Sequence, residues 1–177
     1  ELRRLFRPDR LLSNLVSEKK AKNNLPISKV DSMYAVSFLL MVTGGLRPSE
    51  VVGLRWEYVF WEHNAVGIAG QVSKEGEYVL PKKSKIRAAL IPDITLKQLR
   101  NHYKNRKSDE WVFSNGKSRR KGRDVPITTR TFSENWKKWL DLNGIQRYIR
   151  PYAMRGTFNT VMRTALLDAG YSDEFVQ

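Results

Sequence analysis

An apolar run from Val36 to Val42 stops at the pair Gly44-Gly45, and the chain restarts at once with Leu46-Arg47-Pro48-Ser49-Glu50. Few local structures satisfy that order. Glycine takes the tight or left-handed geometry that follows a helix. Proline suits the first turn of the next helix, where its missing N–H is not needed. The stretch therefore predicts a helix through Val42, a sharp turn, and a second helix over about Pro48–Glu57. Arg47 falls at the second helix start, held from both sides by apolar segments. A guanidinium fixed there presents a planar fork of donors that can grip an oxyanion with two bonds. The alternative is a surface arginine that caps the helix or pairs with Glu50.

The first helix has its own start signal in Ser28-x-x-Asp31, a capping pattern with Asp in place of Glu. Short β-branched or alternating runs at Ala65–Val72, Glu77–Leu80 and Arg87–Ile91 read as three strands of one small antiparallel sheet, with Lys82, Lys83 and Lys85 in its second turn. Thr95–Tyr103 reads as a short helix, and Trp111-Val112-Phe113 as a short buried strand or turn. Ser114–Arg123 is rich in Gly and charge and reads as a mobile loop. Phe132, Trp136, Trp139 and Leu140 share one face of a helix over Thr129–Leu142, a stripe that reads as core and not as a base-stacking platform. Gly144 suits the end of that helix. A further helix spans Pro151–Ala169 and stops at Gly170, and Ser172-Asp173-Glu174 starts another. The fold class is α+β, mainly helical.

The chain has 177 residues and a hydrophobic fraction of 41%, enough for one compact domain with a real core. Its formal net charge of +14 selects for polyanionic partners. No apolar run has the length of a membrane span, and no signal-peptide pattern opens the chain. Cysteine is absent and histidine is limited to His63 and His102, so no thiolate or imidazole metal cluster is expected.

Three motifs carry a family resemblance. Gly45-Leu46-Arg47-Pro48-Ser49-Glu50-Val51-Val52-Gly53-Leu54-Arg55-Trp56 resembles the first catalytic-arginine box of the tyrosine recombinases, or phage integrases. Arg150-Pro151-Tyr152-Ala153-Met154-Arg155-Gly156-Thr157-Phe158 resembles their second-arginine helix. Val79 to Pro92 resembles their lysine-bearing hairpin. The motifs stand in the family's order, and the resemblance spans about residues 27–177. It implies a catalytic domain over 27–177, with residues 1–26 as a basic linker from a preceding DNA-binding domain.

What the resemblance implies for chemistry is site-specific cutting and rejoining of double-stranded DNA through a 3′-phosphotyrosine link, with no cofactor and no metal. Arg47 and Arg155 would clamp the scissile phosphate. A lysine on the hairpin would protonate the leaving oxygen. Counting back from Pro92 favours Lys83, anchoring on Pro81 favours Lys82, and Lys85 is a third choice. Lys82, Lys85, Arg87, Lys117, Arg119, Arg120, Lys121 and Arg123 are the expected DNA contacts. Other recombinase protomers would be partners, no membrane would be involved, and the setting would be the cytoplasm of a bacterium, encoded by the host or a phage.

This sequence departs from the family at three places. Tyr152 stands where His is usual; with a pKa near 10 a phenol is a poor base at neutral pH, so it is expected to donate to a phosphate oxygen, to buttress Arg155, or simply to pack at the helix start. Gly156 stands where a second His is frequent. The nucleophilic Tyr is expected beyond Gln177, which makes the chain a piece truncated before that residue, able to bind DNA and unable to cut it. Tyr171 matches a variable turn position and is not taken as the nucleophile. The rival readings are an inactive DNA-binding pseudo-recombinase, a general basic nucleic-acid binder that relies on Lys117–Arg123, and a type I topoisomerase-like enzyme.

Overall fold

The computed structural model describes residues 29–80, 86–118, 121–142 and 145–172. Within them lie α1 (Lys29–Gly44), α2 (Pro48–Val52), β1 (Val59–Phe60), β2 (Ala65–Ile68), β3 (Gln71–Val72), β4 (Tyr78–Val79) and β5 (Arg87–Leu90). They are followed by α3 (Asp93–Lys104), β6 (Ser114–Lys117), β7 (Asp124–Pro126), α4 (Thr129–Leu142) and α5 (Ala153–Asp168). Single 3-10 turns at Trp56–Tyr58 and Trp61–His63 flank β1. The linker 1–26, the Ser28 cap, Gly144 and the helix expected after Ser172 lie outside the described residues.

Helix α1 runs through the centre. Its residues Met33–Leu40 are buried almost without a break, which its all-round apolar sequence requires. Phe38 meets Phe132 and Trp136 edge-on at centroid distances of 5.2 and 5.1 Å, and Trp139 lies at 5.7 Å. The aromatic stripe of α4 is thus core, as its spacing indicates. Trp136 also donates from its indole N–H to the Ile149 carbonyl at 2.7 Å, which ties α4 to the segment that leads into α5. On the other flank, Thr43 and Thr95 share a hydroxyl hydrogen bond of 2.9 Å that joins α1 to α3.

The sheet differs from the sequence expectation in membership. An antiparallel sheet of three strands exists, but its order is β1-β2-β5. The stretch Ala65–Val72 is split in two: β2 pairs with β5, and β3 leaves to pair with β4 in a separate ribbon. The break falls at Ala69-Gly70, where Tyr78 packs so close that a Cβ on Gly70 would strike its ring. Val59–Phe60, which the sequence reading left out of the sheet, completes it against β2.

Helix α2 is also shorter than expected. Gly53 ends it, and the backbone of Gln71 on β3 lies 3.1 Å from where a Gly53 Cβ would be. Beyond that point the chain bridges to the Trp111 segment: Trp56 N–H donates to the Glu110 carbonyl and Val112 N–H to the Leu54 carbonyl, both at 3.0 Å. Arg55 lies over both the Tyr78 and Trp111 rings, 4.5 and 4.7 Å from their centroids.

The expected loop at Ser114–Arg123 is instead part of a hairpin. β6 and β7 pair antiparallel across a turn in which Ser118 N–H donates to the Arg123 carbonyl and Gly122 N–H to the Ser118 carbonyl. Gly116 and Gly122 both have positive φ, Gly116 at the register irregularity within β6 and Gly122 in the turn, so glycines that suggested looseness belong to a defined hairpin.

Candidate functional site

Glu50 is the hub of the site. It occupies the third position of α2, where its carboxylate accepts the Arg47 backbone N–H at 2.7 Å. That is half of a capping box, and it fixes the carboxylate against the helix start. Burial of the same residue, at 6% exposure, then demands cationic partners. Arg47 Nη1 reaches Oε1 at 2.8 Å, and Arg87 Nη2 reaches Oε2 at 2.7 Å. Arg155 Nη1 lies 3.8 Å from Oε2. Guanidiniums from α2, β5 and α5 thus converge on one carboxylate.

The turn between α1 and α2 positions Arg155. Gly45 has a φ of +62°, and a Cβ there would strike the Phe158 ring one turn beyond Arg155. With hydrogen in that place, α5 comes close enough for Arg155 Nη1 to donate to the Gly45 carbonyl at 2.8 Å. Met154, on the opposite side of the same turn, is buried at 1% exposure and anchors the helix start.

The electrostatics follow from the convergence. Hydrogen bonds to Glu50 and to the Tyr152 phenol hold the Arg47 guanidinium above its ordinary pKa. Arg155 is pushed down from its ordinary value, first by burial and then by the charges of Arg47 and Arg87. The cations outnumber the one carboxylate. Each guanidinium has donors beyond those it spends on Glu50 or Gly45. The arrangement can therefore receive an additional anion with planar, charge-assisted hydrogen bonds.

Arg47, Arg155 and Tyr152 come together, although they derive from opposite ends of the sequence. Tyr152 caps the start of α5, is exposed, and has its phenol at Arg47. Arg155 is close as well, since its backbone N–H donates to the Tyr152 carbonyl at 3.2 Å. Arg87, expected as a general DNA contact, belongs to the arginine cluster. Lys82, Lys83, Lys85, Arg119 and Arg120 lie outside the described residues. Lys117, Lys121 and Arg123 are exposed on the β6–β7 hairpin, with Lys121 Nζ 3.7 Å from Glu77 on the neighbouring ribbon. Glu50 is the cluster residue that sequence reasoning undervalued: the signal was present in its capping position three residues after Arg47, but its burial was not.

Among the described residues, no group of three or more His, Asp or Glu could hold a metal ion, and no helix is long and apolar enough to cross a membrane.

Comparison with known proteins identifies a family and related folds. Residues 14–177 match the model of the phage integrase family. Among curated proteins none matches significantly. Among solved structures, the Tn1549 transposon integrase in complex with circular intermediate DNA is similar with a TM-score of 0.63 at 18% identity, over 93% of this chain and 55% of that one. The XerH site-specific recombinase bound to its difH substrate gives 0.59 at 18% identity, over 89% and 41%. A lambda integrase dimer bound to a core site gives 0.51 at 16% identity, over 96% and 54%. These are likenesses of fold, and the chain spans about half the length of the structures it matches.

Proposed function

The chain belongs to the phage integrase family, and from that premise we propose that it is the catalytic domain of a tyrosine-type site-specific recombinase, which cuts and rejoins double-stranded DNA. The observation that carries this reading is the meeting of Arg47 and Arg155 at one anion-receptive point, held together through Gly45 and Glu50.

In the proposed reaction the guanidiniums of Arg47 and Arg155 hold the nonbridging oxygens of the scissile phosphate. Those oxygens concentrate charge as a nucleophile attacks in line, and preorganised donors lower the barrier. Tyr152 adds a phenolic O–H beside Arg47. Its place at a helix start suits hydrogen bonding to the phosphate, not proton abstraction. One of Lys82, Lys83 and Lys85 protonates the leaving 5′-oxygen. A 3′-phosphotyrosine link would conserve the bond energy, so the cycle needs no nucleotide cofactor and no metal. Lys117, Lys121 and Arg123 extend the contact along the DNA backbone from the β6–β7 hairpin.

None of the chain's tyrosines is assigned as the nucleophile. Tyr152 stands beside Arg47, where its O–H suits the phosphate, and Tyr171 is exposed just after α5. The 177-residue chain therefore binds duplex DNA without forming a covalent adduct. In the whole protein, further protomers complete the recombining assembly in the cytoplasm.

Fluorescence anisotropy with a labelled duplex tests the reading. An Arg47→Ala/Arg155→Ala double variant should lose about ten-fold or more in affinity and flatten the salt dependence by about one phosphate contact. Unchanged affinity, with loss only on removing Lys117, Lys121 and Arg123, would leave a general basic DNA binder. The inactive pseudo-recombinase is favoured by one observation: a Cβ at Gly156 would meet nothing within 4 Å, so no side chain fills the place of the family's second His.

A further inference from the structure

The arginine cluster holds one more member than the phosphate clamp requires. Arg87 stands first on β5, paired across the sheet with Ile68, and its side chain reaches Glu50. A buried carboxylate is already neutralised by Arg47, which donates to it from both backbone and side chain. A second guanidinium at 2.7 Å, with a third within 3.8 Å, adds repulsion among the arginines that pairing with Glu50 alone does not offset. Such crowding is stable when the cations share a further anion.

We propose that Arg87 is a third phosphate-binding arginine, contacting the scissile phosphate directly alongside Arg47 and Arg155. This rests on the phosphate-clamp reading of the site. The geometry carries it in three steps. Glu50 Oε2 receives Arg87 and lies 3.8 Å from Arg155, so these guanidiniums sit on one side of the carboxylate. Among the described residues, Arg87 has Glu50 as its one hydrogen-bond partner, through Nη2, so the rest of its donor fork is available. Its side chain is 40% exposed, close to the 43% of Arg47, so both can be reached from solvent while their carboxylate partner is buried.

The consequence is a cradle in which donors arrive from three elements: α2, β5 and α5. Glu50 then acts as a positioning residue that keeps the forks spread before the anion arrives.

Arginine side-chain Nε–H resonances of the 177-residue chain, followed by NMR during titration with inorganic phosphate, test this. The Arg87, Arg47 and Arg155 signals are expected to shift together along one binding curve. Arg87→Ala should weaken phosphate binding about ten-fold, the size of one charge-assisted hydrogen bond, and Arg87→Lys should recover part of the loss. If Arg47 and Arg155 respond while Arg87 does not, and Arg87→Ala binds phosphate as the native chain does, Arg87 is only a partner of Glu50 and the proposal fails. If none of the three responds, the phosphate-clamp reading fails with it.

Discussion

Arg155 donates to the Gly45 carbonyl at 2.8 Å, a bond that joins the two arginine motifs across 110 residues of sequence. It exists because Gly45 has no side chain to hold α5 away. The same turn that directs Arg47 therefore also seats Arg155. One backbone decision, a positive φ at a helix end, sets both halves of the site.

Gly45→Ala should break that joint. The residue would be strained at a φ of +62°, and its methyl would strike Phe158. The left-handed conformation costs about 1–2 kcal/mol for an L-residue, and overpacking typically adds about 1–3 kcal/mol. Urea unfolding should show a loss in that combined range. Phosphate affinity should fall in parallel, because Arg155 is displaced with α5. A variant as stable as the native chain would mean that the turn tolerates a side chain and that Gly45 does not set the approach of α5.

Gly156→Ala predicts the opposite sign. This glycine lies within α5, where an added methyl meets nothing within 4 Å. Alanine in an open helix position is favoured over glycine by about 0.5–1 kcal/mol. The melting temperature should rise with no change in duplex affinity. A fall in stability would show that the Gly156 side of α5 is covered in solution.

Glu50→Gln tests the hub. Glutamine keeps the size and one acceptor but removes the charge that Arg47, Arg87 and Arg155 share. Leaving the cations unneutralised should cost about 2 kcal/mol in low-salt buffer. Added phosphate should restore more stability to this variant than to the native chain, since a bound anion stabilises by mass action and here replaces a missing charge. Thermal melts with and without phosphate read both effects. Equal melting temperatures at low salt would show that the carboxylate does not hold the cluster together.

Much of this architecture is legible in the sequence where local chemistry decides it. The Gly44-Gly45 turn, the proline start of α2 and the aromatic face of α4 follow from glycine geometry, proline's missing N–H and helical spacing. Distant contacts are another matter. The pairing of β2 with β1 and β5, and the departure of β3 to β4, depend on Tyr78 closing over Gly70, residues with no shared local pattern. The β6–β7 hairpin was hidden because β6, Ser114–Lys117, carries no large apolar side chain, so no alternation marks it as a strand. Arg87 read as one more basic residue among many; only the fold brings it to Glu50, 37 residues earlier in the chain.

His102 contributes a pH dependence of its own to stability. Its ring lies flat on Phe113 at 5.6 Å, and its Nε2 is 2.7 Å from the Val112 carbonyl, so the neutral tautomer with Nε2–H satisfies that acceptor. Burial pushes the imidazole below its ordinary pKa of 6.5, and the bond to Val112 offsets part of this. The unfolded chain therefore takes up a proton on acidification before the folded chain does. Stability from this residue is present above about pH 6.5, falls as the pH drops below it at up to about 1.4 kcal/mol per unit, and levels off below the folded pKa. His102→Gln keeps an N–H donor for Val112 and removes the titration. Urea unfolding at pH 7.5, 6.0 and 5.0 should show the native chain losing more stability than this variant between the first and last points. His63 is common to both proteins and cancels in the difference. Parallel stability curves would show that the ring of His102 takes up its proton as readily in the folded chain as in the unfolded one.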